Sequence, residues 1–271
     1  MEARIIEDSI NSKGCRLTTF QLKYHRYIHG ELMTHRVFSR NASSSRAIPV
    51  MTMLKQVWND PAIPVQWGAN KSGMQSSTLL SPFKSFIAKF IWKFAGKVAC
   101  VFAYSLMKVG LHKQWGNRLL EPWQFIHVIV SATEYENFWQ LRCHKDAQPE
   151  IQMLANKMKV CYDESIPKQL KFGEWHLPYI TSQEKSIFSK ENCKKMSTAR
   201  CCRVSYLKHN GESPSYEDDI KLYNRLVGSV PVHASPAEHP ACNMENETFH
   251  ANLKGWYQHR REIETFNLKE R

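Results

Sequence analysis

The densest chemistry in the chain lies in twelve consecutive residues, His35-Arg36-Val37-Phe38-Ser39-Arg40-Asn41-Ala42-Ser43-Ser44-Ser45-Arg46. They include three arginines, an imidazole, an amide and three serines in a row. A guanidinium is a rigid fork of donors that matches phosphate oxygens two at a time. Serine hydroxyls and loop amides add neutral donors suited to phosphate or to the carbonyls of a uracil. The stretch is equipped to bind a nucleotide; by composition alone it equally fits a serine-rich surface turn with solvated arginines. Other clusters carry less. His25 and His29 stand four apart, as helix-borne zinc ligands do, but no third ligand follows at a recognisable spacing. His233 and His239 bracket Pro236 and cannot share a helix face. No Gly-x-Ser-x-Gly elbow supports a hydrolase, and no Gly-x-Gly-x-x-Gly or Walker loop is present. No metal is expected, and any dinucleotide cofactor must be held without a Rossmann turn.

Three blocks together resemble the flavin-dependent thymidylate synthases (ThyX). The first is the stretch above. Thr34-His35-Arg36, seven intervening residues, Ser44 and then Arg46 follow that family's signature, with Ser39 and Asn41 at its internal positions. The second is Arg118-Leu-Leu-Glu-Pro122 with Asn137-Phe-Trp-Gln-Leu-Arg142 and Ala147-Gln148-Pro149-Glu150. The third is Arg203-Val204-Ser205-Tyr206 with His233-Ala-Ser235-Pro236-Ala-Glu238-His239, motifs that stand near the N-terminus in the family but near the C-terminus here. The order implies a circular permutation, which chains tolerate when old termini lie close together and new ones fall in a loop. Gly255-Trp256-Tyr257-Gln258-His259-Arg260 also resembles the approach to the signature, so either it or Glu31-Leu32-Met33-Thr34 takes that place.

The resemblance implies an α/β fold of α+β type, with a central mixed or antiparallel sheet flanked by helices. It implies a homotetramer with active sites shared between subunits, and methylation of dUMP to dTMP with methylenetetrahydrofolate, FAD and NADPH. By position, Ser44, Ser45, Arg46, Arg118 and Arg142 would bind dUMP, with Arg142 and Ser44 closest to the chemistry. His35, Arg36, Asn41, Ser131, Asn137, Ser205, His233, Ser235 and Glu238 would contact FAD. Three positions depart from the pattern: Thr34 replaces an Arg, Ala42 a Glu and Glu31 a Gln. They raise a related reaction, hydroxymethylation, as an alternative. A non-catalytic, nucleic-acid-binding protein on the same fold is the alternative from another class.

The elements that must position these residues are legible in patterning. Alternation from Phe20 predicts a strand over 16–24, and a helix follows at about 27–36. Residues 39–49 read as an ordered polar loop. Residues 60–82 read as loop, with Trp67-Gly68-Ala69-Asn70-Lys71 a candidate lid or folate contact. The span 83–109 predicts a long amphipathic helix, with Lys89, Lys93 and Lys97 on one face and Ile87, Phe90, Ile91, Phe94, Val98 and Val101 opposite. A buried strand is expected at 123–130, helices at 133–141 and 147–162, and loops with short elements at 165–197. Ser215 and Asp218 form a capping-box-like start to a helix facing Ile220, Tyr223, Leu226 and Val227 inward. The whole reads as one domain over 1–271 with an inserted helical region at about 50–110.

Composition bounds the setting. Eight cysteines without a Cys-x-x-Cys pair read as reduced thiols of a cytoplasmic protein, the cytoplasm being a bacterial host's if the chain is phage-encoded. The N-terminus lacks a signal-peptide core, and the apolar run from Val98 to Met107 is too short to span a bilayer. The net charge of +12 attracts anions: nucleic acid, a membrane surface or small phosphorylated substrates. Of these the resemblance selects the small substrates, with nucleic acid and membrane not expected as partners.

Overall fold

The computed structural model describes residues 1–73, 78–205 and 212–269, apart from the side chains of 266–269. Tyr206, part of the third block, lies outside them.

The first two strands, β1 (Glu2–Ile10) and β2 (Arg16–His25), form an antiparallel hairpin. Asn11 closes its turn, its side-chain carbonyl accepting from the amides of Lys13 (3.0 Å) and Cys15 (2.9 Å). A 3₁₀ turn and a short helix, α1 (His29–Met33), lead to β3 (Ser39–Ala42). The start of the expected polar loop is thus a strand. Its pairing partner, β4 (Phe125–Ala132), is far away in sequence, and this tertiary pairing overrides the turn-like composition. β4 also pairs with β2, from Thr18 to His25.

Between β3 and β4 lie α2 (Val50–Asn59), α3 (Pro82–Lys108) and α4 (Lys113–Gly116). They share a core of their own: Val50, Met53, Leu54 and Val57 of α2 pack on Ala99, Cys100 and Ala103 of α3, with Leu120. Here one expectation is reversed. α3 buries its small residues, Gly96, Ala99, Cys100 and Ala103, while Phe83, Phe86, Phe90, Ile91, Phe94, Val101 and Phe102 face outward, each more than half exposed. Close approach explains the choice, because a Cβ on Gly96 would sit 3.0 Å from the Trp123 ring.

After β4 come α5 (Glu136–Arg142) and α6 (Pro149–Glu164), then the two-residue strands β5 (Lys168–Gln169) and β6 (Trp175–His176). α7 (Ser182–Ile187) and α8 (Lys190–Arg203) follow; a 14-residue helix therefore begins inside a span that reads as loops. Its weak amphipathic pattern hides it, since Cys193, Lys194, Met196, Ser197, Thr198, Ala199, Arg200 and Cys201 are all buried. α9 (Tyr216–Val227) starts at Ser215 with the expected capping box. The C-terminal part holds β7 (Ala241–Asn243), β8 (Phe249–His250), β9 (Leu253–Lys254), β10 (Trp256–Gln258) and α10 (His259–Lys269).

The architecture is mixed α/β. The main sheet runs β3-β4-β2-β1-β5, and β10-β7-β6 form a second. One face of the main sheet places Phe20, Leu22, Tyr24, Val128 and Val130 against Ile151, Leu154 and Met158 of α6 and Phe138 of α5. The other places Ile129 against Tyr179, Cys201 and Val204. Burying both faces of β2 and β4 fixes where β3 ends, and so aims the segment that follows it. No helix is long and apolar enough to cross a membrane among the described residues.

Candidate functional site

Ser43 to Arg46 leave the end of β3 and separate two cavities. Asn117 fixes this segment from behind, its amide donating to the carbonyls of Ser45 (2.7 Å) and Ile48 (3.0 Å). Ser44 and Arg46 stay exposed while Ser45 is buried.

The smaller cavity, of about 220 Å³, is lined by Arg26, His29, Ser43, Ser44, Ser45, Arg46 and Arg118. Ser44, Ser45, Arg46 and Arg118 come together as the resemblance implies. Arg26 and His29 join them unforeseen. Their visible signal was only that a cation and an imidazole follow a strand end. Glu121 is the local counter-charge: Arg26 reaches it at 3.1 Å and Arg118 at 3.7 Å. Two guanidiniums share that one carboxylate and Arg46 adds a third positive charge to the lining, which leaves net positive charge on a cavity rimmed by hydroxyls, a setting that suits a phosphate dianion. His29 is held through Nδ1 against the Tyr24 hydroxyl (2.7 Å), and burial lowers its pKa. His25 bonds Tyr27 instead (2.8 Å).

The larger cavity, of about 610 Å³, is lined by Asn41, Ser44, Arg46, Arg203, Lys221, Arg225, His233 and Ser235, with Asp218 the acidic residue on its wall. It unites the signature with the block at 233–239 from the other end of the chain. Asn41 is oriented by donating to the carbonyls of Cys201 (2.9 Å) and Cys202 (3.2 Å). Arg203 is locked on buried Asp219, which also accepts from Arg200 (2.9 Å). Lys221 and Arg225 escape the sequence analysis; their i,i+4 spacing on a capped helix is the signal that marks one face. Ser205 follows Val204, which ends α8 in the left-handed conformation, and is not among this cavity's lining residues.

Arg142 stands elsewhere. Its guanidinium donates to His35 Nε2 (2.9 Å), the Glu31 carboxylate (3.1 Å) and the Thr34 hydroxyl (3.2 Å). Two of the three departures from the family pattern, Glu31 and Thr34, are therefore partners of Arg142. His35 is buried between Phe38 and Phe138, and its pKa is pushed down to about 4 by burial and then by the Arg142 and Arg40 charges. It is thus a neutral acceptor. Arg142 lines a third cavity, of about 760 Å³, with Tyr27, Glu31, Gln66, Gly68, Trp92 and Glu150. Within one chain it does not share a cavity with Ser44 and Arg46. Gly68 of the candidate lid reaches this third cavity, pinned by a bridge to Leu79. Arg36 and Asn137 are exposed and line none of the three.

Ser131 is fully buried rather than presented to a cavity. Its hydroxyl shares hydrogen bonds with Thr19 (2.6 Å) and His239 Nδ1 (2.9 Å), and Thr19 continues to His176 (2.7 Å). Burial pushes the His239 pKa down to about 3, and its Nε2 lacks a hydrogen-bond partner among the described residues. Glu238 accepts from Arg260 at 2.5 Å. Gln258 donates to Ser39 (2.9 Å) and to the Glu238 carbonyl (3.1 Å). The segment Gln258-His259-Arg260 therefore packs beside the signature, whereas Glu31 and Thr34 serve Arg142.

No family model matches the chain, and no curated protein matches it in sequence. Among solved structures it is similar to a UMP/dUMP methylase, PolB, from Streptomyces cacaoi bound with 5-Br UMP, at 14% identity and a TM-score of 0.50, covering 60% of this chain and 88% of that one. The same methylase with 5-Br dUMP matches at 18% identity and a TM-score of 0.46, covering 55% and 67%. A flavin-dependent thymidylate synthase, ThyX, from Helicobacter pylori, complexed with FAD and dUMP, matches at 17% identity and 0.37, covering 54% and 67%. The first of these likenesses is one of fold.

Proposed function

We propose that this chain is a flavin-dependent enzyme that modifies a uracil nucleotide, methylating dUMP to dTMP with methylenetetrahydrofolate as carbon donor and a reduced nicotinamide as source of reducing equivalents. One observation carries the reading. Ser44, Ser45, Arg46 and Arg118, matched to nucleotide-binding positions by motif, converge on one small cationic cavity from separate parts of the chain. A fold shared with a UMP/dUMP methylase supports it.

The geometry supports the following roles. Arg26, Arg46 and Arg118 hold the phosphate, and Ser44 and Ser45 donate to it or to the base. Asn41, Ser44, His233 and Ser235, with Lys221 and Arg225, fit the larger cavity to a flavin dinucleotide: amide and hydroxyl groups for the ring, cations for the diphosphate. Bound flavin supplies hydride chemistry; this chain positions and polarises. Arg142 stabilises negative charge that develops on the uracil, the kind of contact whose loss costs about 2–4 kcal/mol of barrier. Because it lies apart from Ser44 within one chain, a second copy supplies it, in the shared-site homotetramer. The third cavity, with Trp92 and Gly68, is the place for the folate.

A permuted motif order is part of this reading, and contact of the 233–239 block with the signature supports it. The grip of Glu31 and Thr34 on Arg142 favours one second reading, hydroxymethylation, in which water rather than hydride completes the reaction. Titration with dUMP and FAD, followed by mass analysis of the product made with methylenetetrahydrofolate and NADPH, tests both. A mass gain of CH2, a methyl group in place of hydrogen, supports the first reading and a gain of CH2O the second. A colourless protein that binds neither ligand but binds DNA with steep salt dependence would sink both.

A further inference from the structure

We propose that the outward face of α3 is a peripheral docking surface for an anionic phospholipid membrane. The face is large and strongly apolar. Phe83, Phe86, Phe90, Ile91, Phe94, Val101 and Phe102 are each 55–72% exposed, on a helix whose opposite side holds the small residues that meet α2 and Trp123. Apolar patches of this size on a soluble chain mark an interaction site rather than chance exposure. At 27 residues the helix extends about 40 Å, and no described helix is apolar enough to cross a bilayer, so it would lie in the interface plane.

Charge decides the occupant. α3 carries Lys84, Lys89, Lys93, Lys97 and Lys108 and no Asp or Glu. From Ala47 to Arg118 there are nine Lys and Arg against one acid, Asp60. Lys89, Lys93 and Lys97 run along one margin of the apolar face at four-residue spacing. Lys97 rests over the Trp58 ring and Lys108 over Tyr104, so apolar stems and rings stay together while ammonium groups reach the margin. Beside this margin α2 and α3 enclose an apolar groove of about 300 Å³, lined by Leu54, Lys55, Trp58, Cys100, Val101 and Tyr104, which suits an acyl chain beneath an anionic headgroup. A second copy of the chain is a poorer occupant. An antiparallel pair of α3 helices would set the lysine row against itself, with no acidic side chain on either helix to neutralise it.

The test is co-sedimentation of the full chain with unilamellar vesicles of phosphatidylcholine alone or mixed with phosphatidylglycerol, at low and high salt. The expected result is binding to mixed vesicles only, weakening as salt rises. Replacing Lys89, Lys93 and Lys97 together with Gln should weaken it roughly a hundredfold, from the attraction of each lysine to an anionic surface. Phe90→Ser/Phe94→Ser should abolish it, while both variants keep the wild-type melting temperature and dUMP affinity. Failure of the folded wild-type chain to bind mixed vesicles overturns the proposal, as does binding that survives Phe90→Ser/Phe94→Ser. Overturning it equally would be a Phe90→Ser/Phe94→Ser chain that sediments as a smaller oligomer than wild type with vesicle binding intact, since a second copy would then cover the face.

Discussion

Arg142 commits every guanidinium nitrogen to Glu31, Thr34 and His35, so its orientation is set before any ligand arrives. Arg46 and Arg118 are the reverse case, exposed cations in a cationic pocket. Arg46→Ala and Arg118→Ala should each weaken dUMP binding by about 1.5–3 kcal/mol, the worth of a hydrogen bond to a charged group, as read by isothermal titration. The histidines set a different dependence. Burial pushes His25 and His35 down to about 4 and His239 down to about 3, below the usual value near 6.5. The unfolded chain binds more protons than the folded one between those limits. Stability is therefore fully present above pH 6.5 and is lost as pH falls toward 3. Thermal melts from pH 7 to pH 4 should show a falling melting temperature, with a shallower slope in His35→Gln. A flat profile would mean that these rings take up protons in the folded state as readily as in the unfolded one.

The α8–α9 pair is the element on which the larger cavity depends. Asp219 is completely buried and bonds both Arg200 and Arg203, and Arg200 also reaches Glu184 (2.6 Å) and the Tyr179 carbonyl (2.7 Å). Removing the carboxylate takes the buried partner from Arg203, at the wall that carries Lys221 and Arg225, and leaves Arg200 to Glu184 and the Tyr179 carbonyl. Asp219→Ala should cost about 3–5 kcal/mol of unfolding free energy in urea titration, far more than loss of the exposed Lys159–Asp163 pair. The contrast with α3 is instructive. Both helices mix charge and apolar residues. α8 buries Lys194 and Arg200 against acidic partners, whereas α3 turns its large apolar side chains outward because its packed side admits only small ones.

At the scale of the whole molecule, candidate nucleotide contacts fall on separate surfaces of one chain. If two copies complete one site, mixing Arg46→Ala with Arg142→Ala chains under exchange conditions should restore part of the turnover that each lacks alone. A mixture as inactive as its components would place the complete site within a single chain. Glu31→Gln belongs with this experiment. It should change stability by no more than about 1 kcal/mol, because the pair is partly exposed, so any larger effect on turnover reports the aim of Arg142.

Local chemistry and periodicity in the sequence were enough for β2, β4, the helices of the second block and the capping box at Ser215, since each depends on neighbours within a few residues. The grouping of Ser44, Ser45, Arg46 and Arg118 came from the family resemblance instead, which also placed Arg142 with them, whereas in the structure Arg142 lines another cavity. Tertiary structure alone decided the rest. β3 exists because β4 offers it a pairing edge. α8 was hidden because burial on nearly every side erases the amphipathic period. Arg26, His29, Lys221 and Arg225 enter the cavities through packing, for which a strand end and an i,i+4 spacing are the sole local traces. Ser131 and His35, placed by motif at a flavin, lie in the interior, where hydrogen-bonded polar groups and ring stacking hold them. The twelve residues from His35 to Arg46 thus divide between core and surface, because β3 pairs one part into the sheet and releases the other at its end.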